Sequence, residues 1–419
     1  MARLIVVGGS LGGLLAANML LREGHAVTLV EKAAGSLDGR GAGIVTHEAL
    51  FTGLRRAGVT VDGQLGVSVA SRRVLARDGS VEASLELPQV LTSWSRLYAL
   101  MTAALPAGHA LPGHAVHAIE ATADSVRVHC QRVADGAPVV LEGEGVVASD
   151  GIRSVARAQV LPLAEPVYAG YVAWRGVCDE SVLSRHTLGT LFEHFGFGLP
   201  AGEQMLGYPV AGPRNATARG QRRYNFVWYR AAAEPALREL LTDADGEHHP
   251  GGIPPNRVSW RQVAAMREAG RALLAPQFAE VLEKTAQPFL QPIYDVVSSR
   301  IAHGRLALMG DAAFVARPHV GMGVTKAAED AMALCDALAE HPGDVPRAWQ
   351  AYDARRQGPG EAAVQRSRLL GAYMQAQGRA DADAVQRSAE GVLRDTAVDL
   401  GARPWTRWTA LAEAEPAVH

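Results

Sequence analysis

Lysine is nearly missing from this chain. Only three of its 419 residues are Lys (Lys32, Lys284 and Lys326), so arginine carries almost all of the positive charge. The charges still balance, to a formal net value of -2. That balance excludes the strongly basic surface expected of a nucleic-acid or anionic-membrane binder. Cysteine is just as sparse. Cys130, Cys178 and Cys335 lie far apart, which argues against a disulfide framework, a C-x-x-C redox pair or a zinc site, so no metal is expected. Long apolar runs are few. One uncharged run of 18 residues spans 4–21, but Gly8, Gly9, Gly12 and Gly13 cluster inside it. A signal peptide or membrane span would not carry that cluster, whereas a strand, a turn and a buried helix would. The expected compartment is therefore the cytoplasm, with no membrane or nucleic-acid partner. What remains is 48% hydrophobic and 20% charged, with 44 Gly and 22 Pro, a composition that suits a globular protein of two or three domains.

The first glycine turn has a recognisable setting. Residues 4–7 read as a buried parallel strand, 11–23 as a helix ended by Gly24, and 27–30 as a second strand closed by Glu31. This is a βαβ unit of dinucleotide-binding type. Gly8, Ser10, Leu11, Gly12 and Gly13 let backbone approach a pyrophosphate at a helix N-terminus. Ser10 stands where the fingerprint has its middle glycine. Glu31 is suited to accept from ribose hydroxyls and would repel a 2′-phosphate. Lys32 and Arg40 are further candidate nucleotide contacts.

A second Gly-rich turn follows about three hundred residues later, in RLALMGDAAFVARPHVGMGVTKAAEDA, residues 305–331. A short strand ends at Gly310-Asp311, and a helix over 325–338 follows Gly321, Met322 and Gly323. Asp311 suits the polyol chain of a flavin. A helix N-terminus there favours the negative charge of reduced flavin by up to about 2 kcal/mol in a partly buried site. Between the two turns, residues 90–105 read as a helix, and 115–119, 126–130 and 139–147 as strands. The last strand runs into Asp150-Gly151, with Arg153, Ser154 and Arg157 opening a helix. From Tyr168 aromatic strands suggest a separate sheet, offering Trp174, Arg175, Tyr208, Tyr224, Trp228 and Tyr229 to a flat pocket. The C-terminal segment reads as a solvated helical bundle that leaves a homodimer contact open.

With these motifs in order, the chain resembles the FAD-dependent aromatic hydroxylases of the p-hydroxybenzoate hydroxylase fold. Within them it is most similar to the 2,6-dihydroxypyridine 3-monooxygenase branch, through VVGGS, YAGYVAWRGV and RPHVGMGVTKAAEDA. The resemblance places Trp94 where the broader family has a flavin-contacting arginine. It implies an α/β fold: a Rossmann-like FAD-binding domain interleaved with a mixed β-sheet substrate domain and a helical C-terminal tail. The expected parts are 1–70, 95–165 and 288–345 for FAD, 71–94 and 166–287 for substrate, and 346–419 for the tail. The resemblance implies FAD as cofactor, NADH or NADPH as co-substrate and O2 as oxidant. A flavin hydroperoxide would then hydroxylate a small hydroxylated aromatic, hydroxypyridine-like or phenolic. His47 and His319 are the candidate bases, and Tyr208 and Arg317 the candidate substrate-orienting residues. The motifs leave open a tailoring hydroxylase of a larger polyketide-like ring and a flavoprotein redox sensor that does not hydroxylate. No Trp-x-Trp-x-Ile-Pro stretch occurs, which disfavours a halogenase.

Overall fold

The computed structural model describes residues 1–35, 37, 43–375 and 387–398. Three sheets organise them. The first has six strands, in the order Ala302–His303, Leu306–Leu308, Gly145–Ala148, Arg3–Val7, Ala26–Glu31 and Ala110–Pro112. All pair in parallel except the first two. The helices Leu11–Arg22 and Gly323–Glu340 pack on this sheet through near-continuous apolar surfaces, as the two-sided burial of a parallel sheet requires. Their approach depends on glycine. A Cβ on Gly13 would lie 1.8 Å from the carbonyl of Gly8.

The second sheet has nine strands, and Val167–Asp179, Arg223–Ala231 and Gln204–Val210 form its middle. Its two faces bury different cores. Trp174, Tyr224 and Trp228 turn toward the helices Trp260–Leu273 and Pro276–Lys284. Tyr171, Tyr208 and Tyr229 turn to the opposite face, with Tyr373 and Met374 of the long helix Val345–Gln375. Period-2 alternation thus splits the six residues expected to line one pocket. A third sheet of three strands, His114–Ala121, Val126–Arg132 and Pro138–Gly143, completes the fold.

Four expectations need correction. Residues 90–93 end the strand Val81–Ser93, and the helix is Trp94–Ala104, with Ser93 capping it by accepting from the N–H of Arg96. The run 139–147 is two strands in different sheets, divided at Glu144, whose N–H bonds to Arg3 across the break. Sheet membership does not follow the expected domain limits. Gly43–Val45, Val67–Leu75 and Phe289–Val297 all pair into the nine-stranded sheet, and a limit at residue 70 cuts through one of them. The helix Val345–Gln375 is no solvated bundle, because Trp349, Tyr352, Val364 and Met374 are buried along it. Among the described residues, no helix is long and apolar enough to cross a membrane.

Candidate functional site

Three motifs distant in sequence leave the carboxyl ends of three adjacent parallel strands. Val7 pairs with Ala148, and Ala148 with Leu308. One residue beyond Val7 stands Gly8, two beyond Ala148 stands Asp150, and three beyond Leu308 stands Asp311. Ligands bind at this edge in open α/β sheets.

The glycine turn is a cradle that side chains would fill. Gly8 has φ +102°, and a Cβ on it would lie 2.4 Å from the carbonyl oxygen of Ser149. A Cβ on Gly12 would come within 2.7 Å of Ser149 Oγ. Glu31 holds the turn, one carboxylate oxygen accepting from Gly9 N at 2.7 Å and the other from Ala33 N at 2.8 Å. Each oxygen keeps a second lone pair for a ribose hydroxyl. Ser10 begins the helix Leu11–Arg22 but makes no side-chain cap, so its hydroxyl is left for a ligand.

A cavity of about 360 Å³ opens beside the turn, within the range of small-molecule sites. Gly8, Ser10, Glu31, Lys32, Asp150 and Arg153 line it, with Trp94 stacked on Tyr98 at 4.8 Å on one wall. Cations, a carboxylate and bare backbone are the donor set of a nucleotide diphosphate, so the residues present fit the nucleotide half of FAD. Asp150 also has a structural duty. One of its oxygens accepts from the N–H groups of Val155 and Ala156 at the start of the helix Val155–Val160, while Oδ1 is buried without a partner among the described residues.

The second turn is pinned from the helix Gly323–Glu340. Lys326 Nζ donates to the Gly310 carbonyl at 2.6 Å, and Asp330 Oδ2 accepts from Gly310 N at 3.0 Å. Water reaches Asp311, yet the surrounding protein disfavours its charged form and raises its carboxyl pKa, with the Lys326 ammonium opposing. Gly321 takes a left-handed conformation at φ +64°. Met322 stands before the helix, and nothing lies within 4 Å of where a Cβ on Gly323 would be. Among the described residues, the space beside Gly323 at this helix end is therefore open.

The candidate substrate residues do not share one cavity lining. His47 lines a second cavity of about 510 Å³ with Thr46, Phe51 and Gln89, and its Nδ1 lies 2.9 Å from Thr325 Oγ1. His319 is fully buried instead. Its Nε2 is 2.8 Å from the Tyr171 hydroxyl, its ring meets Tyr229 edge-on at 4.5 Å, and burial lowers its pKa to about 3. Arg317 is committed to structure. It donates to Asp295 at 2.8 Å and to Gln375 at 3.0 Å. Tyr208 is buried, its hydroxyl pKa raised by desolvation, and its ring fills the space where a Cβ on Gly43 would go. Arg40 lies outside the described residues. Sequence reasoning missed Ser149, Lys326 and Asp330. The Lys326–Asp330 spacing of four, which places both on one helix face, was the available signal.

Comparison with known proteins agrees with this geometry. The FAD binding domain family matches residues 1–177 and 254–367, and an FAD binding domain-like family matches 168–295. The 2,6-dihydroxypyridine 3-monooxygenase of Paenarthrobacter nicotinovorans is 30% identical over 89% of this chain and 91% of its own. The 6-hydroxynicotinate 3-monooxygenase of Bordetella bronchiseptica is 27% identical over 84% of this chain and 87% of its own. The solved structure of 2,6-dihydroxypyridine-3-hydroxylase from Arthrobacter nicotinovorans superposes with a TM-score of 0.84 at 28% identity, covering 94% of this chain and 96% of the other. Three strand ends converging on one glycine cradle, a family match over most of the length and a shared fold lead to one assignment: the chain belongs to the FAD binding domain family and is a flavin-dependent monooxygenase of the aromatic hydroxylase type.

Proposed function

We propose that this chain hydroxylates a small, electron-rich, hydroxylated aromatic ring of hydroxypyridine or phenol size, with NADH or NADPH as reductant and O2 as oxygen source. The observation that carries the reading is the near full-length relation to the 2,6-dihydroxypyridine enzyme. Bound FAD supplies the redox chemistry that activates oxygen. The chain does the rest. The backbone of 8–13, with Glu31, Lys32 and Arg153, binds the nucleotide half, and Asp150, Asp311 and the turn 321–323 hold the remainder. The N-terminus of the helix Gly323–Glu340 presents its positive end to developing negative charge.

His47 is the better of the two candidate bases. It borders a cavity and is oriented by Thr325, whereas His319, with a pKa lowered to about 3, holds a proton too weakly to serve near neutrality. His319 and Arg317 act as positioning residues. Buried apolar side chains of the nine-stranded sheet keep water from the reacting ring.

The test is NAD(P)H consumption under air by the FAD-loaded protein, with a panel of hydroxylated pyridines and phenols and products weighed by mass spectrometry. The expected result is at least one ring that accelerates consumption and gains one oxygen atom. A panel in which no ring is oxygenated would remove this substrate class.

A further inference from the structure

Arg72 lies in the strand Val67–Leu75, is fully buried and rests over the Phe195 ring at 5.2 Å. Five hydrogen bonds run from its guanidinium to neutral acceptors, which is as many donors as an arginine side chain has. Nε and Nη2 donate to Gln89 Oε1 at 2.9 and 2.6 Å. The other three bonds go to backbone carbonyls. Nη1 donates to Leu393 at 3.0 Å and to Thr396 at 2.5 Å, and Nη2 donates to Ala397 at 2.8 Å. These carbonyls belong to the last turn of the helix Ala389–Asp395 and to the residues just after it. A helix leaves its final acceptors without partners, and a guanidinium satisfies them. More than three hundred positions of chain separate Arg72 from this segment.

The segment that Arg72 holds meets the flavin turn. Ala397 N donates to the His319 carbonyl at 2.8 Å. A Cβ on Gly321 would lie 2.6 Å from the Ala397 Cβ, so the two backbones touch with no room for a larger side chain. Ala397 has φ +50°, a left-handed conformation that residues with a Cβ seldom adopt. Such a conformation persists only where its surroundings over-determine it. Here its N–H is fixed by His319 and its carbonyl by Arg72. The next residue, Val398, lines the cavity of about 510 Å³ together with His47 and Gln89. One buried guanidinium thus holds Gln89 in that cavity's wall, the carbonyl just ahead of Val398, and the residue that touches the flavin turn.

From the five bonds of Arg72, the strained Ala397 and its contact with His319 and Gly321, we propose that Arg72 is a positioning residue for the flavin site. It locks residues 393–398 against the turn 319–321, and so fixes where the helix Gly323–Glu340 begins relative to the wall of the His47 cavity. Arg72 touches neither turn nor ligand itself and acts through Ala397. The inference rests on the placement of the turn 321–323 at the flavin given above, and it does not depend on which ring is hydroxylated.

The experiment compares full-length, FAD-loaded wild type with Arg72→Met, Arg72→Lys and Ala397→Pro. Proline cannot take φ +50° and has no N–H for His319, so Ala397→Pro breaks the same contact from its other end and serves if Arg72→Met does not fold. Hydrogen exchange is followed in residues 389–398 and 317–323, with the FAD dissociation constant and the reduction potential of bound FAD measured well below melting. In Arg72→Met and Ala397→Pro both stretches should exchange faster, FAD should bind about tenfold more weakly or worse, and the potential should move to more negative values. Arg72→Lys should restore part of each change, because an ammonium reaches fewer of the acceptors. Faster exchange confined to 389–398, with FAD affinity and potential at wild-type values, would make the contact merely structural and overturn the inference. Unchanged exchange in 389–398 would overturn it too, since Arg72 would not be the anchor. None of these readouts needs turnover, so the product-mass test above decides the hydroxylase reading independently.

Discussion

His319 shows how burial turns a candidate base into a fixed element. Nothing polar but Tyr171 reaches its imidazole among the described residues, and desolvation, helped by Arg387 and Arg317, holds its pKa near 3. The unfolded chain carries this side chain at its ordinary value of 6.5. Between those two values the unfolded state binds more protons than the folded state, so stability falls as pH falls through that window. One such group contributes a slope of about 1.4 kcal/mol per pH unit. His319→Gln should therefore unfold in urea with a weaker dependence on pH than wild type between about pH 6 and about pH 4. Parallel pH profiles for the two proteins would show that His319 is protonated or accessible in the fold. The histidine was legible in the sequence as a residue beside the flavin turn. Its burial was not, because that depends on Tyr171, Tyr229 and Gly371, which come from two strands and a distant helix.

At the scale of elements, the two glycine turns differ in how they are held. The first is held mainly within its own unit: Gly9 packs against Glu31, Gly13 packs against Gly8 and Leu29, and Glu31 closes the loop, while Gly8 meets Ser149 at the neighbouring strand end. The second borrows its rigidity. Lys326 and Asp330 clamp Gly310 from one helix, and Arg356 braces Asp330 from the next at 2.7 Å. Lys326→Met should leave the buried Gly310 carbonyl without its donor, at a cost of about 1–3 kcal/mol. The expected readout is a lower melting temperature together with weaker FAD retention on dilution. If FAD affinity and melting both stay at wild-type values, the clamp is not what shapes the turn. The first turn could be read from sequence because Glu31, Ala33 and Leu29, which close it, lie within about thirty residues, although its contact with Ser149 could not. The second showed only its glycines and its helix.

At the scale of the whole molecule, one buried carboxylate joins three regions. Asp295 belongs to the strand Phe289–Val297 and is fully buried. It accepts from Arg317, just ahead of the flavin turn, at 2.8 Å and from Arg368, on the helix Val345–Gln375, at 2.5 Å. Arg317 was legible as a polar residue beside the turn, and substrate binding was the natural expectation for it. The structure spends it on this junction. Asp295→Asn should cost about 3 kcal/mol, the lower end for breaking a buried pair, since Arg368 is partly exposed. Limited proteolysis should then cut within residues 345–375 sooner than in wild type. An unchanged cleavage rate would mean that apolar packing alone docks this helix.

Local chemistry determined what the sequence could determine. Tight glycines, a terminal carboxylate and periodic apolar runs act within a strand–turn–helix unit, so the nucleotide turn, the Asp-Gly and Gly-Asp strand ends and the order of elements are readable residue by residue. Tertiary structure decided what depends on register and burial. It set three strand ends side by side through the pairing of Val7, Ala148 and Leu308. It divided the aromatic residues between two faces by the alternation of the nine-stranded sheet. It gave Arg317 a buried partner in Asp295. Charge pairing and desolvation are properties of neighbours in space, and for these residues the neighbours lie tens to hundreds of positions away along the chain.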